Sequence, residues 1–113
     1  MTSDQLRAFL LSLPHAKEAQ HHGQPDFRVR NKIFANLDDV AGAVTVKLAT
    51  DAQDALMSRR HEAFSLPGGW AKYGWTTIRL DLVDDDEIID LVIDAWLEVA
   101  PESIHDQLRD PNR

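Results

Sequence analysis

The chain contains no cysteine. That excludes disulfide frameworks, thiolate nucleophiles and cysteine-ligated metals, and it fits a reducing, cytoplasmic setting. No uninterrupted apolar run approaches the ~18 residues that a membrane-spanning helix needs. The opening Met1-Thr2-Ser3-Asp4-Gln5 lacks the basic start and apolar centre of a signal peptide. No P-loop, dinucleotide fingerprint or His-Glu-x-x-His pair is present, and Ser65 has no nucleophile-elbow context. No two carboxylates can be placed across a cleft as an acid and base pair. The expectation is therefore a non-enzymatic domain without a cofactor or a metal.

What the chain does contain is unevenly placed. Its 113 residues are read as one domain over 1–113, long enough to bury roughly 65% of the unfolded surface without staples. A monomer is expected. The net charge is −7. From Leu82 onward there are ten acids against two arginines, whereas residues 1–81 carry ten basic groups and nine acids. The acidity sits in the C-terminal segment, and the remainder is free to present a basic face.

Leu6, Phe9, Leu10 and Leu13 recur at helical spacing, with Thr2 or Ser3 as the cap and Pro14 as the stop. Residues 14–25 are polar and read as a connection. The period then becomes two. Phe27 and Val29 alternate with Arg28 and Arg30, and Ile33, Ala35 and Leu37 alternate with Phe34 and Asn36. Asn31-Lys32 reads as the hairpin turn between them. Asp38 to Gly42 is a second connection, followed by a strand with Val44, Val46 and Leu48 inward. Ala52, Ala55, Leu56 and Arg59 mark a short helix capped by Thr50 or Asp51. Residues 61–69 read as loop, with a short strand over 70–73. A firmer strand places Ile78, Leu80 and Leu82 inward and Thr77, Arg79 and Asp81 outward. Asp84 or Asp85 caps a last helix with Ile88, Leu91, Val92, Ala95, Trp96 and Val99 on its apolar side, ending at Pro101. Residues 102–113 are expected to fray. The order is α-β3-α-β2-α, which predicts an α+β fold: a single antiparallel sheet of about five strands with helices packed on one face.

Four groups of residues are candidates for function. By strand parity the outer face of the sheet carries Arg28, Arg30, Thr45, Lys47, Thr77 and Arg79, with Asn36 and Asp81. Arg28, Arg30 and Lys32 make a cationic hairpin that can lie along phosphates, and Lys47, Lys72 and Arg79 extend the patch. The alternative is a solvated face whose charges discourage edge pairing. Second, Trp70, Tyr73 and Trp75 lie in a glycine-rich stretch, Gly68 to Trp75. They can stack on bases or close a ligand pocket. The favoured reading is a structural corner with the rings packed on the sheet edge and Lys72 over a ring. Third, the His21-His22 pair, with His15, His61 and His105 elsewhere, offers a two-histidine metal site with Asp26 or Glu62 as an alternative, but the spacing is nonspecific and no metal is expected. Fourth, Asp84 to Glu87 opens the last helix, where the macrodipole favours anions. Glu87, Asp90, Asp94 and Glu98 continue as a stripe that is either a solvated face or a dock for a basic protein partner.

Several stretches together resemble the MmcQ/YjbR-like family: His22-Gly23-Gln24-Pro25-Asp26-Phe27-Arg28-Val29, Lys32-Ile33-Phe34-Ala35, Val46-Lys47-Leu48 and Lys72-Tyr73-Gly74-Trp75. The likeness runs from about Leu6 to Val99. It implies an α-β3-α-β2-α domain, in agreement with the independent reading. It also implies DNA binding, through a fold similarity to the double-wing C-terminal domain of the phage transcription factor MotA. No catalytic motif comes with it. Duplex DNA is therefore the leading expected partner, and a protein or small ligand on the aromatic segment is the alternative.

Overall fold

Two tight turns with left-handed backbone set the register of the first three strands. His22-Gly23 (φ 52° and 81°) joins β1 (Ala16–His21) to β2 (Gln24–Val29), and Arg30-Asn31 (φ 51° and 69°) joins β2 to β3 (Lys32–Asp38). Consecutive positive φ values make a turn whose twist matches that of paired strands. Asp38 then closes the next connection: its carboxylate accepts from the Ala41 amide at 3.0 Å, and Gly42 leads into β4 (Ala43–Lys47). The structure, a computed structural model, describes residues 1–60 and 62–108, with only the backbone of His21.

The remaining strands are β5 (Phe64–Ser65) and β6 (Trp75–Arg79). The sheet order is β1-β2-β3-β4-β6-β5, with every neighbouring pair antiparallel. Three helices complete the fold: α1 (Ser3–Ser12), α2 (Thr50–Arg60) and α3 (Asp85–Val99). Thr2 caps α1 in a reciprocal box with Gln5, at 3.1 and 2.9 Å. That satisfies two amides that the first turn leaves unpaired.

The helices pack on one face of the sheet. Trp96, Phe27, Phe34 and Phe64 are the largest fully buried side chains, each worth about 1.5–3 kcal/mol of burial or more. The indole of Trp96 also donates to the Pro14 carbonyl at 2.9 Å, which ties α3 to the end of α1. α3 lies against β3 and β4 with Ile88, Leu91, Val92, Ala95 and Trp96 buried. Its acids therefore face away from the sheet. No helix among the described residues is long and apolar enough to cross a membrane.

The α+β class and the single antiparallel sheet match the expectation; six strands replace about five. The added strand, β1, occupies most of what reads as a connection over 14–25. The β2–β3 turn falls on Arg30-Asn31, one residue earlier than Asn31-Lys32. A β-bulge reverses the parity of Ile33 and Phe34. Phe27 pairs Ala35 and Arg28 pairs Ile33, so Phe34 has no opposite number. The extra residue lets Phe34 turn into the core at 0% exposure while Ile33 faces outward. Residues 70–73 form a 3-10 turn within Gly68–Tyr73 rather than a strand, and Phe64–Ser65 is a short strand inside the expected loop. β6 ends at Arg79, so Leu82 lies 40% exposed instead of inward. Glu102–Leu108 forms a 3-10 segment anchored by buried Ile104 instead of fraying. Residues 109–113, His61 and the side chain of His21 lie outside the described residues.

Candidate functional site

The face of the sheet opposite the helices carries alternate residues of each strand. Asn36 pairs Thr45 and Thr45 pairs Thr77, so the three stand in a row across β3, β4 and β6. The Thr45 and Thr77 hydroxyls lie 2.8 Å apart. With Ile33 and Ala43 they floor a concavity of about 350 Å³, within the range typical of ligand sites. Trp75, at the start of β6, forms one wall, and Trp70 and Pro67 form another. Gln24 and Asp38 lie at the far rim, 3.4 Å from each other. The Asn36 Oδ1 atom is buried there with no hydrogen-bond partner.

The walls are held from behind. Gln53 on α2 is buried, and its amide nitrogen reaches the Ala71 carbonyl at 3.0 Å, the Trp75 carbonyl at 2.8 Å and the Thr76 hydroxyl at 3.1 Å. Thr76 in turn donates to the Gly74 carbonyl at 3.1 Å. Gly74 has φ 97°, and a Cβ there would overlap the Leu48 carbonyl. Only glycine fits that combination of backbone angle and close approach. The Gly68 to Trp75 segment is thus a corner in its backbone, but its rings are not packed away. Trp70 is 65% exposed and Tyr73 is 54% exposed. The expectation of three rings packed on the sheet edge is corrected accordingly. Trp70 and Trp75 meet at the concavity, and Tyr73 does not line it. Lys72 sits over the Tyr73 ring at 5.1 Å.

The six cations named from the sequence do not form one surface. Arg28 is bound to Asp26 by two hydrogen bonds, Nε to Oδ1 at 2.8 Å and Nη2 to Oδ2 at 3.1 Å. The Asp26 hydrogen bond holds the Arg28 proton more tightly than usual. Arg79 pairs with Asp81 at 2.9 Å, and Lys47 donates to the Tyr73 carbonyl at 3.3 Å. Between Arg28 on β2 and Lys47 and Arg79 on β4 and β6 stands β3, which turns Ile33, Asn36 and Asp38 to the same face. Arg30 lies in the hairpin turn rather than on the strand face, because both turn residues take positive φ. The side chains of Arg30, Lys32 and Lys17 have no hydrogen bond or ion pair among the described residues.

A second hollow, of about 420 Å³, opens at this end of the sheet. Lys17 and Ala19 of β1 line it together with Arg28, Arg30 and Asn31. Its one acid, Glu18, is taken up by Arg7 at 2.7 Å. Lys17 escaped the sequence reading because β1 did. Asn36, Thr45 and Thr77 were legible as outward residues, but not as a floor.

Of the remaining candidates, His15 also lines the second hollow and the others lie apart. His15 bonds Gln107 at 2.8 Å, and His105 bonds the Ala100 carbonyl at 2.8 Å beside the Trp96 ring. No cluster of His, Asp and Glu suited to a metal occurs among the described residues. On α3, Glu87 is engaged by Arg59 and Arg60 at 3.2 and 2.8 Å. Asp94 is exposed at the surface, but partial desolvation lifts its carboxyl above its ordinary value, with Asp90 adding to the effect.

No curated protein matches the chain in sequence. Among solved structures it is similar to the crystal structure of Deinococcus radiodurans protein DR2400, described by the domain name DUF419. The TM-score is 0.81 at 20% identity, over 96% of this chain and 85% of that one. At that identity the likeness speaks for the fold alone. The YjbR family model matches residues 11–98, a stretch that runs from the end of α1 to the last turn of α3 and includes every strand. The chain belongs to the YjbR family.

Proposed function

We propose that this domain is a non-enzymatic binding module, and that its site is the outer-face concavity, taking a small molecule with a flat ring. One observation carries the reading: Trp70 and Trp75 line the same concavity, and Trp70 is left 65% exposed above a floor that mixes Ile33 and Ala43 with the Thr45 and Thr77 hydroxyls. An indole exposed to water forgoes burial worth a few kcal/mol unless a ligand covers it. The floor supplies the Thr45 and Thr77 hydroxyls to orient a polar ring. The test is intrinsic tryptophan fluorescence during titration with adenosine, guanosine, nicotinamide and indole. Buried Trp96 serves as a constant background. A saturable change that Trp70→Ala abolishes is expected. If no compound gives saturation up to about 10 mM, where binding is worth less than about 3 kcal/mol, the reading fails.

Duplex DNA is the second reading, and the separation of charge favours it. The acids of α3 lie on the far side of the sheet from Lys17 and Arg28, and Arg30 and Lys32 stand at the hairpin end. A ribbon end with unpaired cations can follow a phosphate backbone. In this reading the contacts come from the β2–β3 hairpin end, without Lys47 and Arg79. Binding should then fall steeply with salt, as counterions are released, and Arg30→Ala/Lys32→Ala should weaken it. An absence of binding at about 50 mM salt would end this reading.

A further inference from the structure

We infer that the outer face binds a phosphate monoester of the mononucleotide class, with its base in the tryptophan concavity and its phosphate in the hollow of Lys17, Arg28 and Arg30. The inference rests on the ring-binding reading above. The two depressions adjoin. Arg28, which lines the hollow, is the ladder partner of Ile33, which lines the concavity. Adjacent strands stand about 4.8 Å apart, so a substituent on a ring seated over β3 and β4 reaches the hollow across one strand.

The hollow has spare donors and no spare acid. A guanidinium carries five N–H groups. Arg28 commits three of them, two to Asp26 and one to Asn31 at 3.3 Å. Two remain. Lys17 and Arg30 are uncommitted among the described residues, and Glu18 is neutralised by Arg7. Asp26 is 0% exposed beneath Arg28, so it repels an anion less than a free carboxylate would. Planar guanidinium forks and an ammonium together suit a phosphate oxygen set.

Charge also sets the direction of the ligand. Asp38 stands at the opposite rim of the concavity, so an anionic substituent is disfavoured there and favoured beside Arg28. Purine edges present both donors and acceptors. The Thr45–Thr77 hydroxyl pair, which both donates and accepts, can answer both.

The experiment is calorimetric titration of the full chain with AMP and GMP, the matching nucleosides, and inorganic phosphate. It is repeated on Lys17→Gln/Arg30→Gln and on Trp70→Ala, each checked for an unchanged melting curve. At least one nucleotide should bind about tenfold or more tighter than its nucleoside, as charge-assisted hydrogen bonds imply. The double variant should remove that advantage and leave nucleoside affinity unchanged, whereas Trp70→Ala should weaken both. Equal affinity for nucleotide and nucleoside overturns the phosphate site and leaves the ring site standing. Inorganic phosphate binding as tightly as the nucleotide overturns the link to a ring. A duplex or single-stranded oligonucleotide bound far more tightly than any mononucleotide, with the same dependence on Lys17 and Arg30, overturns the free-nucleotide assignment. If neither nucleotide nor nucleoside binds, this inference falls, and the ring-binding reading then depends on nicotinamide and indole.

Discussion

The guanidinium of Arg28 closes over the carboxylate of Asp26, two residues away on the same strand, and leaves that carboxylate 0% exposed. The two point the same way because residues i and i+2 share a strand face. The pair converts the best-placed arginine of the hairpin from a free charge into a lid.

Removing the lid should harm the fold more than removing a free cation. Arg28→Ala leaves a buried carboxylate without its counter-charge, the costly half of a broken ion pair. Its urea midpoint should fall well below that of Arg30→Ala, which loses no partner. Asp26→Ala/Arg28→Ala should recover part of the loss. If Arg28→Ala and Arg30→Ala unfold at the same midpoint, the pair has no structural role.

Gln53 should prove more important than its place on a short helix implies. Gln53→Leu keeps the volume but takes the side-chain donor from the Ala71 and Trp75 carbonyls, while the Thr76 hydroxyl keeps its bond to the Gly74 carbonyl. Buried groups left unpaired cost about 1–3 kcal/mol each, so a loss of about 2–4 kcal/mol is expected in chemical unfolding. The Trp75 environment should change with it, visible as a shifted emission maximum. A neutral Gln53→Leu would show that the segment is held by its own packing.

Asp94 gives a pH dependence of defined sign. Partial desolvation raises its folded carboxyl above the ordinary 3.8, with Asp90 contributing. The unfolded chain therefore gives up this proton more readily than the folded one. Ionised Asp94 opposes folding at neutral pH, and that opposition disappears as pH falls through the folded value to below 3.8. Asp94→Asn should raise the melting temperature at pH 7 and give no gain near pH 3. An equal gain at both would refute the assignment.

Much of this architecture is legible in the residues, and the failures have physical causes. Helical spacing in α1 and α3 and alternation in β4 and β6 reflect one-sided burial, which sequence records directly. β1 reads Ala-Lys-Glu-Ala-Gln-His and has no β-branched or aromatic residue. It is a strand because β2 offers it an edge, and edges leave no local trace. Missing β1 also meant missing Lys17 and the hollow it lines. Phe34 shows a second limit: one bulged residue inverts the parity of its neighbour Ile33, and with it the floor of the concavity. Trp70 reaches its wall through a 3-10 turn whose path is set by Gln53, a long-range contact that no local pattern encodes.

The placement of α3 has a further effect at a distance. Most of its acids point into solvent on one side of the sheet, while Lys17, Arg28 and Arg30 line the hollow on the other. The domain is therefore an electric dipole as well as a scaffold. An approaching anion meets less repulsion at the open face than at the helical side before any atom touches. That selection acts on the rate of arrival and fades as salt shortens the reach of the field.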